Sequence, residues 1–431
     1  MAIGRVTDLL RDAAKKRLLE NFFSLSILQG ANYILPLITL PYLVRVLGPE
    51  KYGLIAFAQS FIQYFVILTD YGFNLSATRE ISINRDDKEK ISEIFSSVIV
   101  SKFLLGILSF IVLALSLVFI PKFRSEWLIY ALTFGIVVGN ILFPVWFFQG
   151  MESMKYITIL NITAKLIFTA CIFVFIRGKS DYIYVPLINS FGYLLVGWLS
   201  LQIIFSKFGV KLTIPKIEGI KHQLKEGWYI FLSTVAISLY TTSNAFILGL
   251  FTSNTIIGYY SAAEKIVKAL QGTLTPLSQA VYPYISRVAS ESKQKALAFI
   301  RKLVALVGSG SFVISSLTFI FARPIVNGVL GTQYQGSIVV LKILAFLPFV
   351  IALSNVFGIQ TMLTFNLKEA FSKILVSAGI LNILLSLILV PIYQHVGTSI
   401  SVLVTEVFVT LAMFFYLRSK GLKVVGGLNI G

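Results

Sequence analysis

One cysteine, Cys171, and two histidines, His222 and His395, are spread through 431 residues. A lone thiol rules out a disulfide framework and a cysteine-based metal cluster. The two histidines fall in different gaps between apolar segments, on opposite sides of the expected topology, so no zinc site is read. No metal and no cofactor is expected. Charge is scarce: 13% of residues are Asp, Glu, Lys or Arg, where soluble domains carry about 25%. Acid is scarcer still, with 19 Asp and Glu against 37 Lys and Arg. Long polar stretches are missing too, so no gap has room for an aqueous domain.

Apolar residues fill the remainder. They make up 56% of the chain, 14% of it is aromatic, and the mean hydropathy is +0.84. A bilayer crossing needs about 20 apolar residues. About 12 stretches qualify: 22–46, 54–80, 95–120, 127–149, 156–177, 182–206, 227–251, 255–286, 302–322, 336–364, 370–392 and 397–417. Lipid offers no partner to an unpaired amide, so each span is expected to be a helix. The fold class expected is an all-α polytopic membrane protein, and no cleavable signal peptide is expected.

Lys and Arg crowd every second gap. Arg5, Arg11, Lys15, Lys16 and Arg17 precede the first span. Arg79, Arg85, Lys88 and Lys90 follow the second, and Lys207, Lys211, Lys216, Lys221 and Lys225 follow the sixth. By the positive-inside rule both termini are cytoplasmic. The net charge of +18 is mostly this bias, so no nucleic-acid partner is expected. Residues 1–20 read as an interfacial amphipathic helix. Residues 21–210 and 227–417 read as two six-helix bundles, 211–226 as a cytoplasmic linker and 418–431 as a cytoplasmic tail.

The halves carry a faint echo. Gly48-Pro49-Glu50-Lys51-Tyr52-Gly53 leads into Ala58 in the first half, and Thr252-Ser253-Asn254 leads through Gly258 to Ala263 in the second. Gly53 aligns with Gly258 and Ala58 with Ala263. Repeats with an even number of spans are related by an axis along the membrane normal, and such transporters bind substrate near the midplane.

Ionisable residues inside the spans are the main functional signal. Each costs about 2.5–3.5 kcal/mol at the bilayer centre. At 1.5 Å of rise per residue, Lys165, Glu264, Lys265 and Glu406 lie close to mid-depth, with Lys268 one turn away. Lys102 and Lys342 are shallower, Asp70 and Arg79 lie in the lower half of span 2, and Arg45 caps span 1. Plainer readings stand beside these. Glu264 and Lys268 have the spacing to neutralise each other. Lys102, Lys342 and Lys373 have the reach to snorkel. Lys165 has no acid in its own helix. A shared aqueous cavity lined by Arg45, Arg79, Lys102, Lys165, Lys265, Lys268 and Lys342 would relieve the cost and suit an anionic substrate. Asp70, Glu264 and Glu406 are the candidates for ion coupling.

Four segments resemble one family. They are Pro41-Tyr42-Leu43-Val44-Arg45-Val46-Leu47-Gly48-Pro49-Glu50-Lys51-Tyr52-Gly53, then Asp70-Tyr71-Gly72-Phe73 with Ala77-Thr78-Arg79-Glu80, then Pro144-Val145-Trp146-Phe147-Phe148-Gln149-Gly150-Met151-Glu152, then Gly258-Tyr259-Tyr260-Ser261-Ala262-Ala263-Glu264-Lys265-Ile266. Together they resemble the bacterial polysaccharide (O-antigen, Wzx-type) flippases of the multidrug/oligosaccharidyl-lipid/polysaccharide exporter superfamily. The resemblance implies two six-helix bundles around a central cavity that closes alternately to either side. It implies an undecaprenyl-pyrophosphate-linked oligosaccharide as substrate, moved across the bacterial inner membrane for lipopolysaccharide or related polysaccharide biosynthesis. A polysaccharide polymerase and a chain-length regulator are the protein partners it suggests.

Three rival readings remain. A flippase for the peptidoglycan precursor would share fold and chemistry. An ion-coupled multidrug exporter of the same superfamily is disfavoured by the cationic sign of the intramembrane charges. An integral glycosyltransferase or polymerase would need an aqueous domain; Asp86-Asp87 sits in a short basic loop and reads as a solvated turn.

Overall fold

The computed structural model describes the backbone of residues 2–273 and 275–424. Side chains are described from Ile27 onward, except at 33, 236, 239, 240, 275–277, 279, 280 and 283. The two faces expected for residues 1–20 lie outside the described side chains, and the tail after Val424 lies outside the described residues. The described residues form helices and no strand, as an apolar chain in lipid requires.

Eight stretches among the described residues are long and apolar enough to cross a membrane. Two of these, Ile27–Ile83 and Lys368–Ser419, run 57 and 52 residues, too long for one crossing. Each is interrupted by a non-helical residue: Gly48 at φ 73° and Gln394 at φ 51°. At Gln394 the chain doubles back, since Asn382 Nδ2 donates to Thr405 Oγ1 at 3.2 Å across the turn. Two further pairs of consecutive helices, Ile217–Thr241 with Ser243–Phe251 and Asn254–Gly272 with Thr275–Glu291, each have the combined length for a crossing. With each interrupted stretch supplying two crossings, twelve candidate crossings result among the described residues.

The contacts divide the chain into two compact units, Met1–Thr39 with Ala58–Val235, and Leu40–Phe57 with Ala236–Gly431. These boundaries differ from those the charge pattern suggests. Within the 211–226 segment a helix begins at Ile217. The turn around Gly48 is grouped with the second unit.

The first unit contains most of α1 (Ala2–Asp70), then α2 (Phe73–Ile83), α3 (Lys88–Phe119), α4 (Pro121–Arg124), α5 (Trp127–Leu142), α6 (Val145–Gly150), α7 (Met154–Phe175), α8 (Tyr184–Ile203) and the first part of α9 (Ile217–Thr241). Asp87 caps α3 by accepting from the Glu89 and Lys90 amides, which satisfies two of its free N–H groups. Its core gathers Phe73, Phe95, Trp146, Phe147 and Phe148. Helices α5 and α8 pack closely through small residues. Ser190 Oγ donates to Leu132 O at 2.5 Å and Ser200 Oγ to Leu142 O at 3.0 Å. Inside a bilayer such packing and hydrogen bonds, rather than exclusion of water, hold helices together.

The second unit contains the end of α9, then α10 (Ser243–Phe251), α11 (Asn254–Gly272), α12 (Thr275–Glu291), α13 (Lys293–Ile320), α14 (Ala322–Ile325), α15 (Gly336–Leu344), α16 (Leu347–Phe357) and α17 (Lys368–Ser419). Its core gathers Ile300, Leu303, Val356, Phe357, Met413 and Leu417. The turn Leu40–Phe57 is fastened here. Gln333 Nε2 donates to the Val44 and Arg45 carbonyls at 3.1 and 3.0 Å.

Candidate functional site

Four of the ten charged residues read from the sequence lie in the first unit: Asp70, Arg79, Lys102 and Lys165. The structure brings two of them together. Lys102, on α3, is 1% exposed, and its ammonium lies 3.0 Å from Asp70 Oδ1. It also donates to the Asn140 carbonyl and to Asn140 Oδ1, both at 3.3 Å. Lys102 therefore does not snorkel; Asp70 and Asn140 replace the water it has lost. A buried ammonium needs this, because desolvation without partners is expensive.

Lys165, on α7, is half-buried and donates to Asn32 Oδ1 on α1. No carboxylate pairs with it among the described residues. An uncompensated cation in mid-span is the arrangement an incoming anion would relieve. Arg79 is exposed on α2 and has no ion-pair partner among the described residues.

Its neighbour Glu80 is tied down instead. Its carboxylate receives Gln223 Nε2 at 2.7 Å and lies 2.9 Å from His222 Nε2. His222 therefore belongs to a helix, α9, and to a polar cluster rather than to a loop. Thr78, two residues earlier, donates to the Trp146 carbonyl at 3.1 Å. The contacts of Glu80 bridge distant parts of the chain. Its partners are 142 and 143 residues away, a separation that no local pattern signals.

The other six residues, Arg45, Glu264, Lys265, Lys268, Lys342 and Glu406, lie in the second unit. Arg45 is exposed and donates to the Gly328 carbonyl in the π-helical turn Val326–Leu330. Glu264 and Lys268 form the ion pair that their spacing allows, at 3.0 Å. Tyr260, fully buried, adds its hydroxyl to Glu264 at 3.3 Å. Lys265 is exposed with its ammonium 5.7 Å from the Tyr52 ring centroid, and Lys342 is exposed 5.8 Å from that of Phe319. Aromatic faces attract such cations. Glu406, on α17, has no hydrogen-bond or ion-pair partner for its carboxylate among the described residues.

Two kinds of charge thus emerge. Lys102, Lys268, Asp70 and Glu264 have a charged partner. Arg45, Arg79, Lys165, Lys265, Lys342 and Glu406 lack one among the described residues. No group of His, Cys, Asp and Glu among the described residues has the arrangement to hold a metal ion.

Residues 18–289 match the polysaccharide biosynthesis protein family. Over 410 residues the chain is 37% identical to a protein of Escherichia coli (strain K12) named "Putative O-antigen transporter", covering 95% of this chain and 99% of that one. A protein of the same name from Shigella dysenteriae is 29% identical over 397 residues, 91% and 98% of the two chains. Among solved structures, the lipid II flippase MurJ in an inward closed conformation shares the fold with a TM-score of 0.69 at 15% identity, over 93% of this chain and 87% of that one. An inward-facing multidrug resistance MATE transporter of the MOP superfamily gives 0.62 at 14% identity, over 91% and 96%. These relatives are named as transporters, not enzymes. A family match over most of the chain, with a full-length relative at 37% identity, makes this multi-pass membrane protein a member of the polysaccharide biosynthesis protein family, with a fold it shares with those two solved transporters.

Proposed function

We propose that the protein is a flippase for an undecaprenyl-pyrophosphate-linked oligosaccharide, an O-antigen or related polysaccharide repeat unit. It moves the head group from the inner to the outer leaflet of the bacterial inner membrane by alternating access, with both termini cytoplasmic. The full-length likeness to transporters of that name supports the substrate class. The observation that carries the chemistry is Lys165, a half-buried intramembrane cation with only a neutral amide as partner among the described residues. A diphosphate passing Lys165 would supply the missing counter-charge. Ammonium and guanidinium groups suit phosphate oxygens.

The lipid tail stays in the bilayer, so the protein carries only the diphosphate and sugars across. A membrane potential negative inside favours outward movement of an anion by about 2.3 kcal/mol per charge per 100 mV. In this reading Arg79, Lys265 and Lys342 contact the substrate directly. Arg45, Lys102 and Lys268 do so after exchanging their present partners. Asp70, Glu264 and Glu406 are the groups through which ion coupling would act. A polymerase and a chain-length regulator are the partners that take over the product.

The test is reconstitution into vesicles with a labelled polyprenyl-diphosphate oligosaccharide. The expected result is protein-dependent appearance of the sugar to an impermeant lectin on the opposite face. Transport of lipophilic cations with no movement of the lipid-linked sugar would overturn the reading.

A further inference from the structure

Tyr156, at the start of α7, carries two cations near its ring. The Lys155 ammonium is 5.4 Å and the Lys207 ammonium 5.2 Å from the ring centroid. Lys207 also lies 3.5 Å from the phenolic oxygen. Neither lysine has a carboxylate within ion-pair distance among the described residues. Glu152, the nearest acid in sequence, is gripped by both Arg85 amino groups at 2.9 and 3.1 Å. Two like charges drawn to one ring repel each other, and an anion between them removes the penalty.

The site is held in place. The Tyr156 ring packs 5.6 Å from Phe148 and 6.1 Å from Phe208. Phe208 in turn packs against the buried Phe147 at 5.3 Å. Lys207 sits on the π-helical turn Ile204–Phe208. The chain then turns at Gly209 and is pinned, with the Lys211 amide donating to Ser92 Oγ at 3.1 Å and the Thr213 amide to Ser96 Oγ at 3.0 Å.

An apolar track leads away from the charges. Lys155, Ile159, Thr163, Leu166, Ala170 and Phe173 are all exposed, and their spacing of three and four puts them on one helix face. The Lys/Arg pattern assigns the Lys155 end of α7 to the cytoplasmic leaflet. Two cations at the membrane boundary, continuous with an exposed apolar stripe, complement an anionic head group joined to an acyl chain. Anionic lipids are attracted to such basic sites.

We propose that Lys155, Tyr156 and Lys207 form a binding site for an anionic glycerophospholipid of the cytoplasmic leaflet. Its phosphate lies between the two ammonium groups and one acyl chain lies along Ile159 and Leu166. The site uses none of the residues assigned to the transported substrate and stands independently of that assignment.

The test is native mass spectrometry of the purified full chain titrated with phosphatidylglycerol or phosphatidylcholine. Wild type should retain phosphatidylglycerol in preference. Lys155→Gln/Lys207→Gln should weaken that retention roughly thirtyfold, which corresponds to about 1 kcal/mol per lysine near an anionic surface. Ile159→Glu, which adds an acid one turn from Lys155 at an exposed position, should weaken it likewise and keeps the test open if the double variant misfolds. Lys216→Gln/Lys221→Gln should leave it unchanged. Undiminished retention in the two site variants overturns the proposal. An equal loss in the Lys216/Lys221 control also overturns it, by marking diffuse surface charge. Displacement by equimolar polyprenyl diphosphate would reassign the site to the transported lipid, and displacement by millimolar inorganic phosphate would exclude a role for the acyl stripe.

Discussion

Gly53 and Gly258 lie against each other in the second unit. A methyl group on Gly53 would overlap the Asn254 carbonyl oxygen and sit 2.5 Å from Gly258 N. One on Gly258 would overlap the Pro49 carbonyl oxygen. The two residues align in the faint echo between the halves of the sequence, and in the fold the Pro49–Gly53 backbone packs on the Asn254–Gly258 backbone. Glycine at both positions lets two backbones touch where any side chain would hold them apart. Gly53→Leu and Gly258→Leu should each destabilise the protein by about 1–3 kcal/mol or more, the range for overpacking, read as a lower melting temperature in detergent. The double variant should cost less than the sum, because the first substitution already opens the crossing. Strict additivity would show that the two glycines act separately.

Lys165 should respond to charge rather than size. Lys165→Gln keeps the hydrogen bond to Asn32 within reach but removes the charge; Lys165→Arg keeps the charge. Surface polysaccharide in a complemented deletion strain should fall severely with the first and much less with the second, at equal protein level by blotting. Some loss with Arg is expected, because a planar guanidinium does not copy an ammonium. Wild-type output from Lys165→Gln would remove Lys165 from the transport path.

The Asp70–Lys102 pair should show strong coupling. Asp70→Asn leaves Lys102 charged and buried with only neutral acceptors, the substituted amide and Asn140. Breaking a buried pair in this way costs about 3–5 kcal/mol, and the partial exposure of Asp70 and the remaining Asn140 acceptors place the expected value at the low end. Asp70→Asn/Lys102→Met, which removes both charges, should recover much of that stability in thermal unfolding. A double variant as unstable as the sum of the singles would show that the charges do not depend on each other.

Glu80 should matter through packing of α9 rather than through transport chemistry. Gln223 is 2% exposed, and Glu80→Ala leaves its amide without an acceptor, a cost of about 1–3 kcal/mol. Faster proteolysis or hydrogen exchange at residues 217–230 is the expected readout. Unchanged protection there would show that Glu80 is not what fastens the helix.

Orientation can be checked directly. Reporter fusions at 252–254 and 394–396 should read as periplasmic, and one at 216 as cytoplasmic. A cytoplasmic signal at both of the first two sites would reverse the topology drawn from Lys and Arg.

Much of the architecture follows from composition alone. Apolar runs of bilayer length must be helices because lipid offers no partner to an unpaired amide, so Lys88–Phe119 and Met154–Phe175 were legible from hydropathy. The spacing of Glu264 and Lys268 foretold their ion pair, since one helix turn brings them together whatever surrounds them. The partners of Lys102, Lys165 and Glu80 were not legible. Asp70 and Asn140 are 32 and 38 residues from Lys102, and Asn32 is 133 from Lys165. Depth along a helix says that a charge is costly, but only the packing of helices says which neighbour meets that cost. The grouping of Leu40–Phe57 with the second half of the chain has the same origin: Gly53 against Gly258, and Gln333 against the Val44 and Arg45 carbonyls, are contacts between segments far apart in sequence. The sequence by itself determined an all-helical membrane protein with intramembrane cations. The tertiary structure decided which of those cations already have a counter-charge, because that depends on approaches of a few ångströms between helices that no periodicity encodes.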